Sequence, residues 1–511
     1  MLRSLGRLHE HLRVREAYLW LVPVGVAMVF LMVSEKTALE IMGACIALLV
    51  FVFMINRPGG TLVALIIFLP LEPMGFPLLY RLHIPGTFLH QFSSIKELMA
   101  LAILVAGLRA IRDTGRHLDK VDVFLLLYVA AVTLYLIVPH FFSALAPTQL
   151  APRLLAWRTD AGYPLVFFGA RHAVFSTHLR QRVIRVILVM GAFMGLVGLY
   201  QKVSGTGFAN FVDNTARVPQ YLTNVLGDSP SFADSSVKYA ISSGVSFHHI
   251  TSILLSPYDF ADYMIIVALV AAVHISYRHR SVFTYAVFAI AAACIWFTQV
   301  RGDAVAVGIA LVLVAIPASR TPLEGRIRLV ALLVLAAVLV VPALGGSRFS
   351  GSNKGAQLSS QGHIYEIEDG LGVIYYEPLG LGLGNQPGVG LKYNTSSALI
   401  NGGDISDNMI TQVGDELGLQ SMIPWLIMMF LVGLALQRRA SKGDELAAGI
   451  GFAFVGWIIA GQTHHVFLTF PGPWTLWVVM GLAVNLTPAE TAGPPHPGEE
   501  WNQVPLAADV R

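Results

Sequence analysis

The chain has 511 residues, of which 55% are hydrophobic and only 13% charged, and its mean hydropathy is +0.65. Soluble domains carry about 25% charge, so this composition cannot coat a row of water-facing domains, and lipid must be the solvent for most of it. The net charge of +3 gives no footprint for nucleic acid, and the two cysteines, Cys45 and Cys294, lie inside apolar runs where neither a disulfide nor a thiolate metal site is expected.

Apolar stretches of about 17–25 residues can cross a ~30 Å hydrocarbon core. In chain order they lie at 18–34, 38–55, 61–79, 95–110, 121–142, 162–175, 183–203, 258–277, 281–299, 302–318, 328–344, 409–436, 446–463 and 467–486. The expected fold is therefore all-α and polytopic, with about 14 transmembrane helices. Two stretches are weak. Residues 69–80 carry three prolines and Glu72 and read as re-entrant or broken, and 162–175 is short, with Arg171 near one end. The first apolar run has no small-residue cleavage site after it, so it reads as an uncleaved span. The chain divides into a cytoplasmic N-terminus (1–17), N-terminal helices (18–203), an outer loop (204–257), central helices (258–344), a large outer loop (345–408), C-terminal helices (409–487) and a disordered cytoplasmic tail (488–511).

Basic residues set the orientation. With the N-terminus inside, the alternation also puts Arg57, the Arg109–Lys120 group, Arg171 to Arg185, Arg278/Arg280, Arg320 to Arg328, Arg438/Arg439/Lys442 and Arg511 inside, 22 of the 34 lysines and arginines in all. Dropping one span would invert every later loop. Both termini are expected inside and the long loops outside.

Chemistry is then expected on the outer face, because the inner connections are short. Arg301 lies at an outer turn, where basic residues are disfavoured, and its planar fork suits phosphate oxygens. The alternative is an interfacial arginine paired with Asp303 or snorkelling outward. Arg158, with Arg153 and Asp160, reads either as an interfacial ion pair or as part of a seat begun by Arg301. His464 and His465 read as a turn with solvated imidazoles or as substrate contacts. Asp404, Asp407, Asp415 and Glu416 read as a hard-cation site, a general base near the membrane surface, or acids at a helix N-terminus. Gly-Leu-Gly-Leu-Gly at 380–384 reads as a tight turn rather than a nucleotide loop, because no strand–helix frame surrounds it.

Four stretches together resemble the O-antigen ligase and polysaccharide polymerase superfamily of bacterial inner membranes. Ser256-Pro-Tyr-Asp-Phe-Ala-Asp-Tyr-Met264 resembles its Pro-Asn-x-x-Ala span opening, and Gln299-Val-Arg-Gly-Asp-Ala304 its Ser-Arg-x-Ala turn. Ser360-Gln-Gly-His363 with Glu377-Pro-Leu-Gly-Leu-Gly-Leu-Gly384 resembles its loop ending in Pro-x-Gly-x-Gly. Asp407-Asn408, nine residues and Gly418 resemble the ligases' His-Asn-x9-Gly-x-x-Gly. The resemblance implies a GT-C-like glycosyltransferase that takes a glycan from undecaprenyl pyrophosphate on the periplasmic face, with no cofactor and no metal. Its implied partners are the lipid-linked oligosaccharide, membrane lipid, a chain-length regulator and a flippase. On that basis Arg301, Arg158 and Arg217 would seat the pyrophosphate, and His363, Asp407 and Glu416 would be catalytic. His248, His249, Asn408, His464 and His465 would touch substrate.

Asp407 stands where the ligases have histidine, and Ser421 where they have the last glycine. These departures favour a polymerase, joining one lipid-linked repeat to another, over a ligase that transfers to lipid A–core or protein. Within the expectation, His363 is favoured as base and Asp407 as its orienting partner. A lipid or solute transporter is the alternative from another class.

Overall fold

The computed structural model describes residues 47–139, 149–176, 178–227, 249–277, 281–318, 367–385, 408–464, 466 and 471–486. Among them the chain is all-helical, with no strand. The principal helices are α1 (Pro58–Arg81), α2 (Ile95–Thr114), α3 (Lys120–Ile137), α4 (Leu150–Asp160), α5 (Gly162–His172), α6 (Leu179–Ser204), α7 (Pro257–Ser276), α8 (Val282–Thr298), α9 (Arg301–Ala318), α10 (Met409–Leu417), α11 (Leu419–Ser441), α12 (Glu445–Ala460) and α13 (Gly472–Ala483). Five of these, α1, α3, α6, α7 and α11, are long and apolar enough to cross a membrane, and α8, α12 and α13 are shorter apolar helices. The chain is a helical membrane protein. The expected spans 18–34 and 328–344 lie outside the described residues.

Helix α7 is the axis of the packing. It is apolar all round, and 83% of its most apolar window is buried, against 33–50% in the other four long helices. It packs on α6, α8, α9 and α12, while α13 and α2 flank α5. Small residues allow the closest crossings: a Cβ on Gly169 of α5 would meet the Leu104 backbone of α2 at 2.5 Å. In lipid, where apolar transfer gives no drive between helices, such close backbone packing is what holds them together.

Three local expectations are corrected. Residues 69–80 are neither re-entrant nor broken but continue α1 through Pro70, Pro73 and Pro77 to Arg81. Glu72, the charge that argued for a break, pairs with Lys96 of α2, and both side chains are almost fully buried. The pair cancels the charge in place, so the segment need not leave the membrane. The short sixth span is lengthened from its N-terminal side: α4 runs into α5 through Ala161, whose φ of −97° and ψ of −34° are helical. The stretch 409–436 is two helices, not one, broken at Gly418 with φ +67° and ψ 179°.

At one end of the bundle, helix termini are tied by charge. Arg171 of α5 bridges Asp119 and Asp122 at the start of α3, and His172 Nε2 lies 3.0 Å from Asp122 Oδ1. Burial opposes ionisation of Asp119, yet the Arg171 guanidinium wins and brings its carboxyl down to about 2. Arg116 Nη1 donates to the His172 carbonyl at 2.9 Å, Arg180 pairs with Asp444, and His274 with Glu445. Asn485 donates to the carbonyls of Ala170, Arg171 and Ala173 at 2.8–2.9 Å. Residues that the charge bias assigns to one side are thus together at one end, termed here the basic end; the other is the distal end.

Candidate functional site

At the distal end three helices deliver buried polar groups to one point. Ser256 caps α7 by accepting from the Asp259 amide at 3.2 Å, and Pro257 occupies its first turn. One turn further in, Asp262 is fully buried. Helix α8 ends at Gln299 in the left-handed region (φ +61°), which turns the chain into α9 and places Asp303 in its first turn, also fully buried. The turn after α12 supplies His464, whose Nε2 lies 3.3 Å from Asp262 Oδ1 and 3.5 Å from Asp303 Oδ1.

The supporting residues fix this geometry. Thr463 Oγ1 donates to the Ala460 carbonyl at 2.9 Å and lies 3.2 Å from His464 Nδ1. Thr463 thus holds the Nδ1 side of the ring, and Nε2 faces the two acids. A Cβ on Gly302 would lie 2.1 Å from Thr463 Oγ1, so glycine is required for α9 to approach this turn. Trp457 of α12 donates from Nε1 to the Asp262 carbonyl at 3.1 Å, locking α7 to α12. His464 is therefore not the solvated turn imidazole of the sequence expectation: its side chain is 7% exposed, and the two acids hold it from inside.

Arg301 opens α9, two residues before Asp303. It is half-buried and makes no ion pair or hydrogen bond among the described residues. The expected alternative, a pair with Asp303, does not form, because Asp303 turns to His464. His249 is brought to the same corner, with Nδ1 2.7 Å from the Thr298 carbonyl at the end of α8. Lys202 at the distal end of α6 lies 5.4 Å from the Phe297 ring centroid.

The other two expected arginines are placed differently. Arg158 pairs with Glu97 of α2 at 3.1 Å and not with Asp160. Arg217 is exposed, in the left-handed region (φ +56°), at the cap of a short helix Val218–Asn224. No contact joins either to Arg301.

The late motif is tied to the same turn. Asn408 caps α10 by accepting from the amides of Ile410 and Thr411, and its Nδ2 donates to Gln462 Oε1 at 3.0 Å. The Met409 amide donates to the Gly461 carbonyl at 2.8 Å. The glycine run 380–384 is a clamp on the end of α10, as the tight-turn reading implies. Leu381 and Gly382 donate to the carbonyls of Asp415 and Glu416, and the Gly384 amide to Glu416 Oε1 at 2.6 Å. Glu416, expected as catalytic, thus holds the loop. Asp415 beside it is buried with Oδ1 lacking a hydrogen bond, and burial pushes its carboxyl up to about 8.

His363, Asp407, His248 and His465, with Asp404, lie outside the described residues. Between α7, α9, α11 and α12 an apolar groove of about 1040 Å³ runs from Tyr277 and Ser441 at the basic end to Met409 and Ile410 at the distal end. The chain matches no protein-family model and no curated protein.

Proposed function

We propose that the protein is a polysaccharide polymerase of the bacterial inner membrane. It would transfer a glycan from undecaprenyl pyrophosphate to a sugar hydroxyl of another lipid-linked repeat, at the distal end, on the outer face. The observation that carries this reading is Arg301: a half-buried guanidinium without a partner among the described residues, at the positive end of α9. A pyrophosphate leaving group gains negative charge as the anomeric C–O bond breaks. A fixed arginine and a helix N-terminus are suited to that charge. The lengthwise apolar groove is of the right character for an isoprenoid tail that enters sideways from lipid.

In this scheme a base takes the acceptor hydroxyl proton, the oxygen attacks the anomeric carbon, and undecaprenyl pyrophosphate departs. His363, oriented by Asp407, is the proposed base, since imidazole titrates near neutral pH. Asp415, with a carboxyl near 8, is the alternative among the described residues.

A second reading has its own observation. Ionisable groups buried between membrane helices, such as Asp262, Asp303 and His464, also suit a cation-coupled transporter. One experiment separates the readings. Purified protein incubated with a lipid-linked repeat should build a ladder of longer lipid-linked products. Transfer only when lipid A–core is added marks a ligase. No turnover, with substrate flux in sealed vesicles, marks a transporter.

A further inference from the structure

Asp262, Asp303 and His464 come from α7, α9 and the turn after α12, and their ligating atoms all lie within 4.8 Å of one another. Side-chain exposures of 0%, 0% and 7% exclude water from supplying the counter-charge. Neither Asp303 oxygen makes a hydrogen bond, nor does Asp262 Oδ2. Buried carboxylate oxygens are expensive to leave in this condition. One imidazole does not resolve it: a proton on Nε2 serves Asp262 Oδ1 at 3.3 Å and still leaves both Asp303 oxygens and Asp262 Oδ2 without a hydrogen bond.

We propose that these three side chains bind a divalent first-row metal ion, with zinc the best match. The distances fit that ion. Tetrahedral zinc with bonds of about 2.0–2.1 Å has ligand–ligand edges of about 3.3 Å, and His464 Nε2 lies 3.3 and 3.5 Å from the two carboxylate oxygens. Charge fits as well. Two carboxylates, a neutral imidazole and a divalent ion sum to zero, whereas a proton on Nε2 would leave the buried group at minus one. Nitrogen–oxygen ligation favours zinc or manganese over calcium and magnesium, which take oxygen. Thr463 is the outer partner that fixes the ring, as metal-bound histidines require. Three protein ligands leave a fourth position for water or a phosphate oxygen. The site does not depend on the glycan-transfer reading, and it departs from the metal-free chemistry that the sequence resemblance implies.

The test is metal content, measured without substrate. Full-length protein purified in detergent without chelator should carry about one zinc per chain by mass spectrometry. After chelation, added Zn²⁺ should restore it and raise the melting temperature. Asp303→Asn and His464→Ala should each retain less than a tenth of the metal, while Asp259→Asn should retain all of it. Thr463→Val keeps the ligands but frees the ring, and should bind zinc about 10–100-fold more weakly. If a variant does not fold, the chelated wild type decides alone. No metal in the wild type and no melting shift with Zn²⁺ or Mn²⁺ overturns the proposal. So does undiminished zinc in folded Asp303→Asn and His464→Ala.

Discussion

The basic end and the cluster around His464 at the distal end handle buried acids differently. At the basic end, buried carboxylates face cations: Arg171 lies between Asp119 and Asp122, Arg180 meets Asp444, and His274 meets Glu445. At the distal end Glu72 still pairs with Lys96 and Glu97 with Arg158, but around the His464 turn Asp262 and Asp303 share one imidazole, and Arg301 makes no ion pair among the described residues. Compensated charge ties helices together. Acids buried without that compensation are costly, an ionised group in a membrane costing about 2.5–3.5 kcal/mol on insertion scales, which makes them candidates for binding or chemistry.

The contrast predicts that substitutions at the two ends fail differently. The largest expected effect is on turnover. His363→Ala should lower ladder formation by about 10²–10⁴-fold while the lipid-linked donor still binds, and Asp407→Asn should lower it less. Near-normal product from His363→Ala would move the base to Asp415. At the basic end, Arg171→Ala leaves Asp122 buried without its cation and should cost about 3–5 kcal/mol of stability, read as a lower melting temperature in detergent. The same bridge has a pH signature. Asp119 is depressed from 3.8 to about 2, so its contribution is present above pH 4 and is lost as the pH falls toward 2.

Intermediate effects come from the packing around His464. Gly302→Ala forces a Cβ into Thr463 and should destabilise by about 1–3 kcal/mol, with a loss of bound metal out of proportion to the loss of stability. Asp415 should give a graded change that depends on pH. Its carboxyl is raised from 3.8 to about 8, so the folded state holds a proton that the unfolded chain releases. Stability should fall as pH rises from about 4 to 8, by at most about 1.4 kcal/mol per pH unit, and Asp415→Asn should remove that slope.

The class of protein was legible because apolar run length and basic-loop alternation are local patterns. Arg301 stood out in the sequence for a related reason: a basic residue at a turn expected outside violates the alternation. What lay beyond reach was pairing at long separation. Asp262 and Asp303 are single acids in apolar helices, and nothing near either points to a histidine 202 residues beyond the first. Arg158 finds Glu97, 61 residues earlier, when Asp160 stood close at hand. Glu72 misled for the same reason, since its cation lies on the next helix. Glu416 suggested catalysis because its task, holding the Gly384 amide, depends on a backbone turn that residue identity alone does not specify.

The central claim is that Arg301 makes the distal end a seat for a diphosphate. Binding of undecaprenyl pyrophosphate to purified wild type, Arg301→Lys and Arg301→Ala tests it without requiring turnover. A fork that holds two oxygens should not be replaced by a point charge. Both variants should therefore bind at least tenfold more weakly than wild type, with unchanged melting temperatures. Equal affinity in all three proteins would contradict the account.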